Sequence, residues 1–427
     1  MSAADVQRRF TAAVPDRPET LVVMKRILSG QNLFLLVTLS LGHMLMHCFQ
    51  QGWYVVMPSV KGAFGLSDIQ YGAIESARSA SNAALMLPAG VAADILRKQW
   101  VMATAGSLVG LGVAYVVLGL APNYGFVLLA SILVGISMAL WHPAAISVLS
   151  YRLASRRGFA ISLHGMGGNL GNAIGPAMLG IIIGVVSWQA ASWALAIPLI
   201  VFALFMGVVL RNVPGVEGDR VGTRQYVASV VALLKNRVML ILVVSNGLRA
   251  MGTIGVLTFF SLYCSENLGF SSAKVGFYYM LMMISGTASQ PLLGYLSDRF
   301  GRRVVMIPSM MLLGVLEILL VLSGSGIMLA LVAVGTGLFI YSVTIVTQAA
   351  AMDATPARTG GATIALLMGS AALFQIPSPT VAGWLAEGYG TPAVFYYSGA
   401  LVLASALVLL LLPKDSRGVS GENRVSC

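Results

Sequence analysis

The chain has 427 residues, of which 57% are hydrophobic and only 10% are charged. A soluble domain has about 25% charged residues, so this composition excludes a soluble globular protein and indicates an integral membrane protein. The formal net charge of +11 could suggest a nucleic-acid-binding surface. We do not expect one, because the basic residues lie in short polar segments between apolar runs, where they set membrane topology.

Twelve apolar runs follow one another along the chain. Each is long enough for a membrane-spanning helix, which needs about 20 residues. The predicted spans are 33–58, 68–93, 99–120, 124–149, 157–184, 188–210, 238–264, 272–297, 303–323, 326–350, 360–386 and 391–412. We therefore predict an all-α membrane protein.

Lysine and arginine are divided unevenly between the two sides of these spans. Lys61 and Lys274 are the basic residues of one set of loops, whereas most of the 26 lie in the tails and in the loops of the other side. By the positive-inside rule both termini are cytoplasmic. We expect a multi-pass protein of the cytoplasmic (inner) membrane.

A repeat divides the twelve spans into two pseudo-symmetric six-helix bundles. Gly65-Leu66-Ser67 with Gly72 recurs in the second half as Gly269-Phe270-Ser271 with Gly276. Gly90 and Asp94 recur as Gly294 and Asp298. Gly158, Pro176 and Gly180 recur as Gly361, Pro379 and Gly383. The predicted parts are a cytoplasmic tail (1–30), a bundle (31–211), a cytoplasmic linker (212–236), a second bundle (237–413) and a second tail (414–427). Tandem bundles of this kind hold the substrate between them, near the bilayer midplane.

The first span carries a polar stripe, and we take it as one wall of the substrate site. Ser40, His43, His47, Gln50 and Tyr54 recur at helical spacing and so share one face. Such a face must point at other helices or at a hydrated cavity, because lipid cannot satisfy it.

Ionisable residues inside spans are costly, so each one is a candidate for function. Arg78 and Arg249 lie near the middle of spans in opposite halves, where together they would clamp a carboxylate, phosphate or phosphonate. Glu75 lies one turn from Arg78 and either neutralises it or carries a proton. Glu317 is expected at the surface, anchored near the end of a peripheral helix.

All four histidines, His43, His47, His142 and His164, fall in first-half spans. Histidine titrates near neutral pH, so His47 with Glu75 is a candidate for proton coupling, and His43 and His47 for substrate contact. An i,i+4 histidine pair can also ligate a transition metal. Packing or gating hydrogen bonds remain an alternative, above all for His142 and His164.

No cofactor motif and no catalytic motif is apparent. The cysteines, Cys48, Cys264 and Cys427, are scattered without metal-ligand spacing, and no carboxylate pattern completes a metal site beside the histidines. We expect no resident metal, no cofactor and no enzymatic activity.

Two charged motifs end the second and eighth spans and are expected to latch the cytoplasmic face. Their members are Asp94 and Arg97 in the first half, and Asp298, Arg299, Arg302 and Arg303 in the second. Asp353, just past the tenth span, is expected to join this gate. The run from Gly294 to Arg303 resembles the signature of the major facilitator superfamily, although Ile95 replaces an arginine in the first copy. Gly171, Gly175, Pro176 and Gly180 resemble the antiporter motif of that superfamily's proton-driven exporters and are also suited to helix packing.

Within the superfamily the chain resembles the fosmidomycin-resistance group. The matching stretches are Gly42-His43 with Pro58 closing the first helix, Trp141-His142-Pro143, the glycine-rich run 167–176 and Leu248-Arg249. That group often has an acidic residue where this chain has His47. The resemblance implies a twelve-helix secondary transporter working by alternating access.

We expect proton-coupled export of a drug-like or small anionic compound. Uptake of an organic anion by symport or exchange is the alternative, and transport of a metal or metal chelate is a less favoured one. The expected partners are a small-molecule substrate, protons and the lipid bilayer. We expect a monomer and no nucleic acid.

Overall fold

The computed structural model describes residues 30–95, 99–213, 230–356 and 360–413, without the side chains of 87–95 and of position 155. Every regular element in these ranges is helical. The first-half helices are α1 (Gly30–Phe64), α2 (Asp68–Ile95), α3 (Trp100–Gly119), α4 (Tyr124–Arg152), α5 (Arg157–Val185) and α6 (Trp188–Val209). Those of the second half are α7 (Arg237–Leu262), α8 (Ser272–Phe300), α9 (Arg302–Leu322), α10 (Ile327–Ile340), α11 (Ser342–Asp353), α12 (Gly360–Gln375), α13 (Ser378–Tyr389) and α14 (Pro392–Leu409).

The twelve predicted spans correspond to these helices. The tenth span is α10 and α11, broken at Tyr341, and the eleventh is α12 and α13, broken at 376–377. Ten spans of the described residues are long and apolar enough to cross a membrane. The other two, α2 and α8, have 28 and 29 residues but are more polar. The chain is thus an all-α, twelve-span membrane protein.

Local signals begin several of the helices. Asn123, Ser187, Asn236 and Ser271 each precede a helix, and each side chain accepts a hydrogen bond from a backbone N–H of its first turn. The expected end of the first helix at Pro58 is wrong, since α1 continues through Pro58 to Phe64. The helix tolerates this proline because its packed surroundings hold the chain although one N–H donor is lost.

The helices form two bundles. In the first, α5 packs along α1, α4 lies between α2 and α3, and α3 contacts α6. In the second, α14 lies between α7 and α9, and α8 contacts α10. Helices α5 and α8, α2 and α13, and α1 and α7 pack across the boundary between the bundles, where the candidate site lies.

Candidate functional site

The polar stripe of α1 is divided among several partners. Ser40 donates to the carbonyl of Leu36 on its own helix at 2.7 Å. His43 and His47 bond to α5, whereas Tyr54 bonds to α2. Gln50 is half-buried, and its Oε1 has no hydrogen-bond partner among the described residues. The stripe therefore faces helices α2 and α5 over much of its length.

The four histidines meet in the first bundle. The Nε2 atoms of His43 and His47 are 3.0 Å apart, and the rings of His43 and His164 stack with centroids 4.1 Å apart. His142 approaches His43 edge-on at a centroid distance of 5.1 Å. His43 Nδ1 lies 2.8 Å from the carbonyl oxygen of His164. Residues from α1, α4 and α5 thus form one imidazole cluster.

Glu75 and Arg78 form an ion pair inside the first bundle, and both are almost fully buried, with 3% and 4% exposure. Arg78 donates from Nε to one carboxylate oxygen at 2.7 Å and from Nη2 to the other at 2.5 Å. Tyr54 accepts from Arg78 and donates to Glu75 at 3.2 Å. The ion pair that the i,i+3 spacing allowed is therefore present, and it is bidentate.

Contacts between the bundles begin next to this ion pair. The ring of Tyr54 stacks on that of Tyr279 in α8, with centroids 5.6 Å apart. A small cavity beside Glu75 is lined by both halves: Trp53, Tyr54, Met57, Tyr71, Ile74, Glu75 and Thr258. Gln51, rather than the predicted Gln50, reaches across to the hydroxyl of Tyr341 at 3.4 Å.

Arg249 lies in the second bundle with a different set of partners. Its Nη2 donates to Asn246 Oδ1 at 3.0 Å and its Nη1 to the carbonyl of Ile340 at 3.4 Å. Both acceptors are neutral, and Nε has no partner among the described residues. Arg249 is nevertheless buried, with only 6% of its surface exposed. A buried cation with a free donor is suited to binding an anion.

Each arginine lies close to the boundary between the bundles. Arg78 contacts Tyr54, whose ring stacks on Tyr279 of α8. Arg249 bonds to the carbonyl of Ile340, next to Tyr341, whose hydroxyl contacts Gln51 of α1. No described residue bridges the two arginines directly, so the clamp stays a prediction.

Glu317 was expected at the surface, and this is wrong. It is fully buried, and its Oε1 accepts a hydrogen bond from Thr253 at 3.2 Å, while Oε2 has no partner among the described residues. Thr253 lies one helical turn from Arg249. The opposite charges of Glu317 and Arg249 are therefore close enough to interact. Position along α9 misled the prediction, because hydropathy does not reveal which face of a helix meets a neighbour.

The second-half gate motif is a compact charge cluster. Arg302 pairs with Asp298 and, at 2.8 Å, with Asp353, so Asp353 does join this group. Arg303 donates to the carbonyl of Leu410 at 2.9 Å, and Arg299 to the hydroxyl of Tyr295 at 3.2 Å. All these partners belong to the second bundle.

The first-half gate motif falls partly outside the described residues. Arg97 lies outside the described residues, and so does the side chain of Asp94. A Cβ on Gly294 would have no atom within 4 Å among the described residues, so this glycine permits no close helix approach in this conformation.

Glycines of α5 allow α1 to pack against it backbone to backbone. A Cβ on Gly171 would lie 2.1 Å from the Met44 carbonyl oxygen, and one on Gly175 2.2 Å from that of Cys48. Any larger residue would force the two helices apart.

The repeated glycines hold the bundles together at one end. A Cβ on Gly72 would lie 1.9 Å from the Pro379 carbonyl oxygen, and one on Gly276 2.3 Å from that of Pro176. Gly180 and Gly383 approach Ser272 and Asp68 in the same paired way. Lys61 adds ion pairs to Glu266 at 2.8 Å and to Asp68 at 2.9 Å. This closed end is where α1 finishes and α2 begins.

Two bundles of six membrane spans each, packed together at one end and with buried charges near their boundary, define a secondary transporter of the alternating-access class. The family model of the Major Facilitator Superfamily matches residues 39–289 and 242–425. The chain therefore belongs to this superfamily of transporters and is not an enzyme.

Individual relatives are distant. The chain is 24% identical to the uncharacterized MFS-type transporter YfnC of Bacillus subtilis over 394 residues, covering 90% of this chain and 93% of that protein. It is 25% identical to the fosmidomycin resistance protein of Escherichia coli over 294 residues, covering 67% of this chain and 70% of the relative.

Solved structures share the fold. An inward-facing, unoccupied bacterial homolog of the human lysosomal transporter Spinster superimposes with a TM-score of 0.71 at 16% identity, covering 89% of this chain and 95% of the other. The nucleoside transporter NupG gives a TM-score of 0.73 at 15% identity, covering 88% and 99%. At these identities the likeness concerns the fold alone.

Proposed function

We propose that the protein exports a small organic anion, a carboxylate or phosphonate, across the cytoplasmic membrane, coupled to protons. The observation that carries the anionic substrate is Arg249, buried beside neutral acceptors with an unpaired Nε donor. A charged substrate oxygen would supply what this guanidinium lacks. Arg78 would bind a second oxygen from the opposite bundle.

Glu75 is the proton carrier in this proposal. It is buried, it lies on a cavity shared by both bundles, and it holds Arg78 in a bidentate pair. Protonating Glu75 weakens that pair and leaves the Arg78 donors free for another acceptor. Proton and substrate occupancy are then linked through one guanidinium.

Export is favoured by the likeness to the fosmidomycin resistance protein. Cotransport of anion and proton is the second candidate, and the ion pair favours it. A proton on Glu75 makes Arg78 a better anion site, so the two ligands assist each other's binding, which is the requirement for symport.

The closed end is proposed to face outward, because the basic tails and loops lie at the other end. The proposed monomer would therefore open toward the cytoplasm in this conformation. Its tails and its linker at 212–236 are proposed to lie on that side. Gly72, Gly276 and their partners would form the outer gate, and the cluster around Arg302 would take part in the inner one.

Purified protein in liposomes with a trapped pH indicator tests the proposal. Fosmidomycin, a phosphonate, is the probe, and it is loaded inside the liposomes so that its gradient drives it outward. Protons entering as it leaves support exchange-driven export, and protons leaving with it support cotransport. Lack of any probe binding, or binding to Arg249→Gln equal to that of wild type, would refute the anion site. Glu387→Gln, an exposed change at the closed end, is the matched control.

A further inference from the structure

The imidazole cluster of the first bundle is not used by the anion site and has the composition of a metal centre. One ligand nitrogen each from His43, His47 and His142 lies within 4.8 Å of the others. His43 is buried, whereas His47 and His142 are only half-buried, so the cluster remains open to a small ion.

Hydrogen bonds fix which ring nitrogens carry protons. The Nδ1 atom of His43 faces the His164 carbonyl oxygen at 2.8 Å, and a carbonyl can only accept, so this nitrogen bears the hydrogen. The Nδ1 atom of His47 likewise faces Asn172 Oδ1 at 2.8 Å. In the neutral rings both Nε2 atoms then present lone pairs.

The two Nε2 atoms lie 3.0 Å apart. Two acceptors at that distance repel unless one cation binds both. The arrangement, with Nδ1–H held by a carbonyl or amide oxygen and Nε2 free, is how proteins orient metal-binding histidines.

We propose that His43, His47 and His142 bind a divalent transition metal ion of the Ni²⁺ or Cu²⁺ type. Metal–nitrogen bonds of about 2.0–2.1 Å to two atoms 3.0 Å apart enclose an angle of about 90°. That angle belongs to square-planar or octahedral coordination, which Cu²⁺ and Ni²⁺ favour with nitrogen ligands. His142 supplies the third nitrogen.

The surroundings hold the ligands in place. Trp141 and His164 stack in parallel with the His43 ring, at interplanar angles of 11° and 6°. Gly168 makes room for that ring, since a Cβ there would lie 2.5 Å from His43 Cε1. Asn172 is a positioning residue, acting on the metal through His47.

Titration of Ni²⁺ into metal-stripped, full-length protein carrying a histidine-free tag tests the site. Calorimetry should give one ion per chain, and His47→Gln and His142→Gln should each weaken binding at least about tenfold. Asn172→Ala should weaken it by about 10–100-fold, as expected for outer-shell partners, and Asn172→Asp should restore most of it. Visible absorption of the bound Ni²⁺ should show imidazole coordination and should change in the ligand variants.

Cys48→Ser, next to His47 in sequence, is the control and should bind as wild type does. The proposal is overturned if wild type binds no Ni²⁺ at micromolar concentration. It is equally overturned if His142→Gln binds as tightly as wild type, because the His43–His47 pair would then be explained by a shared proton. Neither result bears on fosmidomycin binding at Arg249, which is measured separately.

Discussion

The two bundles repeat each other at their contact surface and differ in their interiors. Gly72 and Gly276 approach Pro379 and Pro176 in matching geometry, whereas Arg78 has a carboxylate partner and Arg249 has neutral ones. All four histidines belong to the first bundle. Under the proposed function, the repeat serves the motion common to both halves, and the departures from it serve binding.

The largest effect is expected at the ion pair, where the interiors differ most. Glu75→Leu or Arg78→Met alone leaves an uncompensated buried charge and should destabilise the protein by about 3–5 kcal/mol. The double variant should be close to wild type. Thermal unfolding in detergent, with and without each change, measures both.

Arg249→Met provides the comparison for this experiment. Its hydrogen-bond acceptors are neutral, and the buried Glu317 interacts with it without a hydrogen bond. The fall in stability should therefore be smaller than for Arg78→Met. Equal losses at the two arginines would contradict the asymmetry described here.

The symmetric contacts should respond symmetrically. Gly72→Ala and Gly276→Ala each introduce a Cβ against a backbone carbonyl and should weaken the closed end by about 1–3 kcal/mol. In each glycine variant, a cysteine introduced by Thr380→Cys should react faster with a water-soluble thiol reagent than the same cysteine does in the parent protein, which carries Thr380→Cys alone.

Gly184→Ala is the matched control, since a Cβ there meets no atom within 4 Å among the described residues. Its labelling rate should equal that of the parent. If only one of Gly72 and Gly276 matters, the bundles do not contribute equally to the closed end.

A smaller effect is expected at Glu317, the acidic group near Arg249. Its charge opposes an anion there, so Glu317→Gln should tighten fosmidomycin binding by about threefold or more. Calorimetry of the purified protein checks this. A weaker affinity in Glu317→Gln would mean that the carboxylate helps to organise Arg249 for its ligand.

The smallest effect is expected for Lys61, which pairs at the rim of the closed end with Asp68 and with Glu266, whose side chains are 18% and 42% exposed. Lys61→Gln should change stability by less than about 1 kcal/mol. The difference from wild type should shrink further in high salt, because exposed charges are screened. Unfolding temperatures at low and high salt provide the measurement.

The sequence predicted the fold well, because long apolar runs and helical spacing of polar residues indicate membrane helices directly. It placed every span, and its repeat identified Gly72, Gly276, Gly180 and Gly383. It did not find the breaks at Tyr341 and at 376–377, because a helix interrupted inside a span stays apolar.

For the site, spacing predicted the pair of Glu75 with Arg78 but not the roles of Gln51, Tyr341 or Glu317. Those roles depend on which helices are neighbours across a bundle, and a single sequence does not contain that information. The unpaired Oε2 of Glu317 is visible only once α7 and α9 are packed.

The break at Tyr341 gives Arg249 a second significance. Its Nη1 holds the carbonyl of Ile340, the last residue of α10, at the joint with α11. Under the proposed function, a substrate anion bound at the free Nε lies on the same guanidinium that holds this carbonyl through Nη1. Movement of the joint between α10 and α11 would then shift the anion site, and substrate binding would bias the joint in return.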